Sequence, residues 1–176
     1  MAKHLMVDLE TMAVTPNAVI LTLGAVHFDP WENTIGDELY MRFDLDDQDF
    51  LERDIDPNTM EWWSKQDPAI MEEAFSDNDR VPVSEAMDRF HKFAWGCSAF
   101  WSHGAVFDLI IIENILTQLN KPKPWSFWQC RDTRTIFDLG HDPEMPKGSK
   151  HNALEDAKRQ AIGVQNIYRK LNIAKR

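Results

Sequence analysis

Asp8 and Glu10 stand two residues apart at the end of a short apolar segment, Leu5-Met6-Val7-Asp8-Leu9. A strand alternates its side chains with a period of two, so both carboxylates face the same side. Such a pair could clamp one or two hard cations: Mg²⁺ takes oxygen ligands in near-octahedral geometry and keeps waters that a phosphate can displace. Alone, Asp-x-Glu is a common pattern, and a strand-end pair facing solvent or capping a neighbour explains it better. Further residues change the odds. Asp108 heads a strongly apolar stretch directly after Ser102-His103-Gly104-Ala105-Val106-Phe107, where a helix-capping or first-turn role is an even alternative. His151-Asn152-Ala153-Leu154-Glu155-Asp156-Ala157 puts a histidine at the start of a helix and an aspartate about a turn further in. The five-residue His151-to-Asp156 spacing is the sharper element, although acids also favour a helix N-terminus for electrostatic reasons alone.

The elements that must position these groups follow from periodicity. Residues 5–9 and 18–28 read as neighbouring antiparallel strands, and 39–43 as a third, less buried strand after the turn Asp29-Pro30-Trp31-Glu32-Asn33. Carboxylates dominate residues 44–56, which read as a solvated loop or the start of a helix with no chemistry assigned. Turn signals at Pro57 and Pro68 open two short helices, and a third begins near Ser84 with Ala86, Phe90 and Phe93 as its apolar stripe. Residues 98–102 read as a buried strand, 108–119 as a helix, 125–130 as a short strand and 133–139 as a brief helix. Leu154, Ala157, Ala161, Val164, Tyr168 and Leu171 recur at helical spacing in the last element. The expected fold is α/β, a mixed central sheet with an N-terminal antiparallel meander, flanked by helices in one domain over 1–176.

Composition narrows the class. Of 176 residues, 19 are Lys or Arg and 29 are Asp or Glu, a formal charge of −10 that argues against a protein coating nucleic acid or anionic membrane electrostatically. No apolar run approaches the ~20 residues of a membrane helix, and the N-terminus lacks a secretory signal's long apolar segment. Cys97 and Cys130 are too few for a disulfide framework and suit a reducing cytoplasm, the expected location.

The segments Asp8-Leu9-Glu10-Thr11, Ser102-His103-Gly104-Ala105-Val106-Phe107-Asp108 and His151-Asn152-Ala153-Leu154-Glu155-Asp156-Ala157 resemble the three motifs of the DnaQ-like DEDD exonucleases, in the histidine-bearing DEDDh branch. Thr59-Met60-Glu61-Trp62-Trp63, Trp128-Gln129-Cys130-Arg131-Asp132-Thr133-Arg134-Thr135 and Met145-Pro146-Lys147-Gly148 are similar to segments of the phage exonuclease A and mycobacterial exoribonuclease-like group. Gly104 departs from the pattern, since many DEDDh enzymes carry Asn there.

The resemblance implies an RNase H-like fold and removal of nucleotides from a 3′ end. It implies that Asp8, Glu10, Asp108 and Asp156 hold two Mg²⁺ or Mn²⁺ ions, with His151 as general base because imidazole titrates near neutral pH. Single-stranded nucleic acid is the implied partner, DNA ahead of RNA, with a short-oligonucleotide hydrolase and a non-catalytic binding module as rivals. Thr11, Met12, Trp62, Trp63, His103, Phe107, Lys147 and Lys150 are the expected substrate contacts. Adjacent in a helix, Trp62 and Trp63 cannot face one way, so one is core and the other a platform for a base. Lys158, Arg159, Arg169 and Lys170 either extend a basic strip from Lys147 and Lys150 or solvate an outer face. Related exonucleases often pair, and the aromatics could supply a homodimer interface.

Overall fold

The computed structural model describes residues 3–148 and 151–175. Its six-stranded sheet runs β4-β3-β2-β1-β5-β6, with β1 His4–Thr11, β2 Ile20–Phe28, β3 Ile35–Phe43, β4 Arg80–Val81, β5 Ala99–Ser102 and β6 Cys130–Asp132. β1, β2 and β3 form the expected antiparallel meander, while β5 joins β1, β6 joins β5 and β4 joins β3 in parallel. β2 is buried along its whole length, which explains its nearly continuous apolar run: both faces are covered, so alternation is not required.

The faces of β1 divide by parity. Leu5, Val7 and Leu9 pack with α3 (Val83–Ala94) and α4 (Asp108–Gln118) in the larger core cluster. Met6 packs on the opposite face with Val26, Trp101 and the Ala157, Ala161 and Val164 stripe of α6 (Ala153–Lys170). Asp8 and Glu10 continue the Met6 row, so the period of two carries them to the α6 side. A third cluster joins Met12, Val19, Leu21 and Trp63 beneath α1 (Pro57–Trp63) and α2 (Pro68–Phe75). α5 (Thr133–Phe137) completes the helices and packs on α6.

Three expectations need revision. The strand anticipated over 125–130 begins only at Cys130, because Ser126 and Gln129 form a capping box that holds Phe127–Gln129 in a 3₁₀ turn. The acidic stretch contains a 3₁₀ turn, Asp46–Leu51, around a fully buried Gln48 whose amide exchanges hydrogen bonds with the Ile20 backbone. Two-residue β4 had no signal in the sequence. Among the described residues no helix is long and apolar enough to cross a membrane.

One glycine sets how the last helix meets the sheet. Gly24 pairs with Asp8, and a Cβ there would lie 2.2 Å from the backbone at Ala153 and Leu154. The first turn of α6 therefore rests on bare β2 backbone, and any side chain would lift it. Overpacking typically costs ~1–3 kcal/mol, and here the opposing atoms are backbone that cannot rotate away. Gly24→Ala is expected to lose about 2 kcal/mol or more in urea denaturation. An unchanged midpoint would show that α6 does not rest on this contact.

Candidate active site

Five separated elements or loops converge on a cavity of about 450 Å³ whose walls include Asp8, Glu10, His103, Phe107, Asp108, Arg134, His151 and Asp156. β1 supplies the first two. Asp108 opens α4, and its Oδ1 accepts a 3.0 Å hydrogen bond from the Leu9 backbone N–H, tying the helix start to the strand between the two acids. Asn152 caps α6 by accepting from the Glu155 N–H at 3.1 Å. His151 precedes that cap with φ +65°, a left-handed conformation uncommon for a residue bearing a side chain. Its N–H donates to Asp156 Oδ2 at 2.8 Å, so the final acid and the imidazole are fixed to each other through backbone.

The carboxylates are crowded. Burial pushes the Glu10 carboxyl up to about 8, reinforced by the negative charges of Asp156 and Asp108. Burial likewise raises Asp108 to about 7, against the opposing hydrogen bond from Leu9. Asp8 is held well above the usual carboxylate range by burial and then by Asp108 and Glu10, although Gln160 Nε2 donates to its Oδ1 at 2.8 Å. Among the described residues, only Asp156 of the four has a cation at salt-bridge distance, Arg159, whose Nη1 lies 2.7 Å from its Oδ1. Glu10, His151 and Asp156 each offer a ligand atom within 4.8 Å of the others, a group able to hold a divalent cation.

A second cavity of about 480 Å³ shares Leu9, Glu10 and Phe107 with the first and is otherwise walled by Thr11, Val14, Asp56, Asn58, Thr59, Trp62 and Trp63. The tryptophans part as their adjacency requires. Trp63 is 1% exposed and donates its indole N–H to the Thr11 carbonyl at 2.9 Å, whereas Trp62 is 42% exposed and meets the His151 ring edge-on at 4.9 Å.

Some expected contacts sit elsewhere. Met12 lines neither cavity: it falls just past the end of β1, where strand alternation no longer sets its side, and its side chain packs in the core with Trp63. Lys147 is exposed and lines neither cavity, and Lys150 lies outside the described residues. A free basic strip along α6 is not what the structure shows. Lys158 pairs with Glu38 and Glu155, Arg159 with Asp156 and Lys170 with Glu144, while Arg169 donates to Asn33. Gln160 was missed, although it lies four residues after Asp156, on the same helical face. Arg134 stands in the sequence only within the Arg131, Asp132 and Arg134 cluster, to which the resemblance gives either a structural or a substrate-end role.

The fold is that of the RNase H-like, DnaQ-like exonucleases. Across 98% of this chain it superposes on E. coli exonuclease I in a zinc-bound complex with single-stranded DNA, with TM-score 0.72 and 15% identity. E. coli exonuclease I with a dT13 oligonucleotide matches at TM-score 0.68 and 15% identity over 98% of this chain and 43% of that one. Exonuclease X in complex with 5′-overhanging duplex DNA matches at TM-score 0.60 and 16% identity, over 97% of this chain and 94% of that one. The chain spans only 42% of the zinc-bound exonuclease I chain. No curated protein sequence matches. The profile of the 3′-5′ exoribonuclease Rv2179c-like domain matches residues 3–168, and the chain belongs to that family, within the DEDDh exonuclease superfamily.

The raised carboxyls make a linkage prediction. A carboxyl whose folded pKa exceeds its unfolded value contributes stability below the unfolded pKa, and loses it as pH rises through the folded one. For Asp108 and Glu10 the loss spans roughly pH 4 to 8, from their ordinary values of 3.8 and 4.5 to about 7 and about 8. His4, held down near 4 by burial, acts in the opposite sense on the acid side, so the useful quantity is a difference. The melting-temperature gain from Mn²⁺ over EDTA should widen steadily from pH 5 to pH 8.5. A gain that is constant with pH would mean the carboxyls are not mutually destabilised.

Proposed function

We propose that the chain is a metal-dependent 3′-5′ exonuclease that removes 5′-mononucleotides from the 3′ end of single-stranded nucleic acid. The observation that carries this reading is the convergence of Asp8, Glu10, Asp108, His151 and Asp156 on one cavity in a chain of this family. The donor set suits hard divalent cations: these are carboxylate oxygens whose pKa values are raised first by burial and, for Asp8 and Glu10, also by the charge of neighbouring carboxylates.

Asp8, Glu10, Asp108 and Asp156 would hold two Mg²⁺ or Mn²⁺ ions. When bound, such ions supply Lewis acidity and neutralise charge on the attacking and leaving oxygens of a phosphoryl displacement. The chain's own residues do the rest. His151 accepts the proton of the attacking water, its ring oriented by the edge-on contact with Trp62 and its backbone by the bond to Asp156. Gln160 holds Asp8 in place. The adjoining cavity, with Trp62, Phe107 and Thr11 in its wall, is sized for a nucleotide whose base stacks without sequence preference.

The family description weighs toward RNA as the polymer. The DNA-bound structural neighbours support the second reading, DNA, through fold alone. Matched DNA and RNA oligonucleotides labelled at the 5′ end should both report on this, with Mg²⁺, Mn²⁺ or EDTA. A ladder shortening from the 3′ end is expected with metal, and none with EDTA or with Asp8→Asn. His151→Ala should slow cleavage about 10²- to 10⁴-fold while calorimetry still shows metal binding. Intact substrate under every condition would remove the nuclease reading, and a full rate in His151→Ala would remove the base assignment.

A further inference from the structure

The cavity must admit a polyanion although four carboxylates line it, and its cations are unequally available. Arg159 is already committed to Asp156 and to the Pro146 carbonyl. Arg134, also in the wall, has no carboxylate within 4.0 Å and no side-chain hydrogen bond among the described residues.

Its position is built. Asp132 caps α5, accepting the Arg134 N–H on Oδ1 at 2.9 Å, while its Oδ2 accepts the Ala105 N–H at 3.0 Å. Next to it the fully buried Thr133 shares a 2.7 Å hydrogen bond with His103 Nδ1. Two side chains thus fasten the start of α5 to the loop that delivers Asp108, and the Arg134 side chain leaves from that junction. Residue 104, beside the guanidinium, is a glycine, and a side chain there would crowd it. Gly104 has φ +122°, and a Cβ there would stand 3.1 Å from Arg134 Nη1. The departure from Asn at this position therefore coincides with a guanidinium in the cavity wall, near enough for its charge to oppose the upward shift of Asp108.

Resting on the nuclease reading, we propose that Arg134 is a substrate-contacting residue whose guanidinium binds the non-bridging oxygens of the terminal phosphodiester. A planar fork matches two phosphate oxygens at once, and bonds of this charge-assisted kind are about twice as strong as neutral ones. The Asp132 cap fixes the start of α5, so the fork stands in the wall of the carboxylate-lined cavity, where it offsets repulsion between the site and the incoming strand.

The test uses ten-nucleotide oligouridine and oligothymidine with the wild type, Arg134→Ala and Arg134→Lys. Single-turnover cleavage in Mg²⁺ is measured beside affinity in Ca²⁺ at several salt concentrations. Arg134→Ala is expected to slow cleavage about 10- to 100-fold with an unchanged melting temperature, and Arg134→Lys to recover only part. Neutralising one phosphate releases about 0.7 counterion on a single strand, so the salt slope of binding should become shallower by about 0.7 in Arg134→Ala. An unaltered slope overturns the proposal, even if the rate falls, because a structural role would leave the slope alone. If the wild type cleaves neither polymer, the nuclease reading fails while the slope still decides on Arg134.

Discussion

Negative charges packed together repel, and burial strengthens the repulsion by removing the water that would screen it. Asp8, Glu10, Asp108 and Asp156 wall one cavity, and the three with the highest pKa values have no cationic partner at salt-bridge distance among the described residues. No local preference would bring them there, so the rest of the fold must hold them against their own field. The same tension would favour cation binding in the proposed function, because a hard divalent ion relieves it more fully than protons can.

The restraints are mostly backbone hydrogen bonds and close contacts. The Leu9 N–H holds Asp108 and the His151 N–H holds Asp156, so two acids are pinned by neighbours in the site. Gly24 lets α6 settle on β2 opposite Asp8, and Gln160 reaches from the next turn of that helix to the Asp8 carboxylate. Beneath these contacts the Met6, Trp101, Ala157, Ala161 and Val164 cluster supplies the apolar burial that fixes the helix on the sheet.

Surface charge tells a complementary story. Most basic side chains of α6 are engaged by acids or carbonyls, so the helix does not present a continuous positive track. The proposed function instead concentrates attraction for a polyanion where the carboxylates are. On the proposed reading, cations held there and the Arg134 guanidinium, unpaired among the described residues, would together make the cavity the favourable end point on an otherwise acidic molecule.

The sequence by itself determined the order of the longer strands and helices, the antiparallel meander and the shared face of Asp8 and Glu10, because periods of two and 3.6 are local properties of the backbone. It also required Trp62 and Trp63 to diverge. Tertiary structure decided what local patterns do not encode. The end of β1 at Thr11 left Met12 to the core, and the capping box delayed β6 until Cys130. Pairing partners claimed Lys158, Arg159 and Lys170, whereas Arg134 was left without a pair among the described residues, beside Gly104. Each of these outcomes depends on contacts between residues far apart in the chain, and only packing establishes which groups meet.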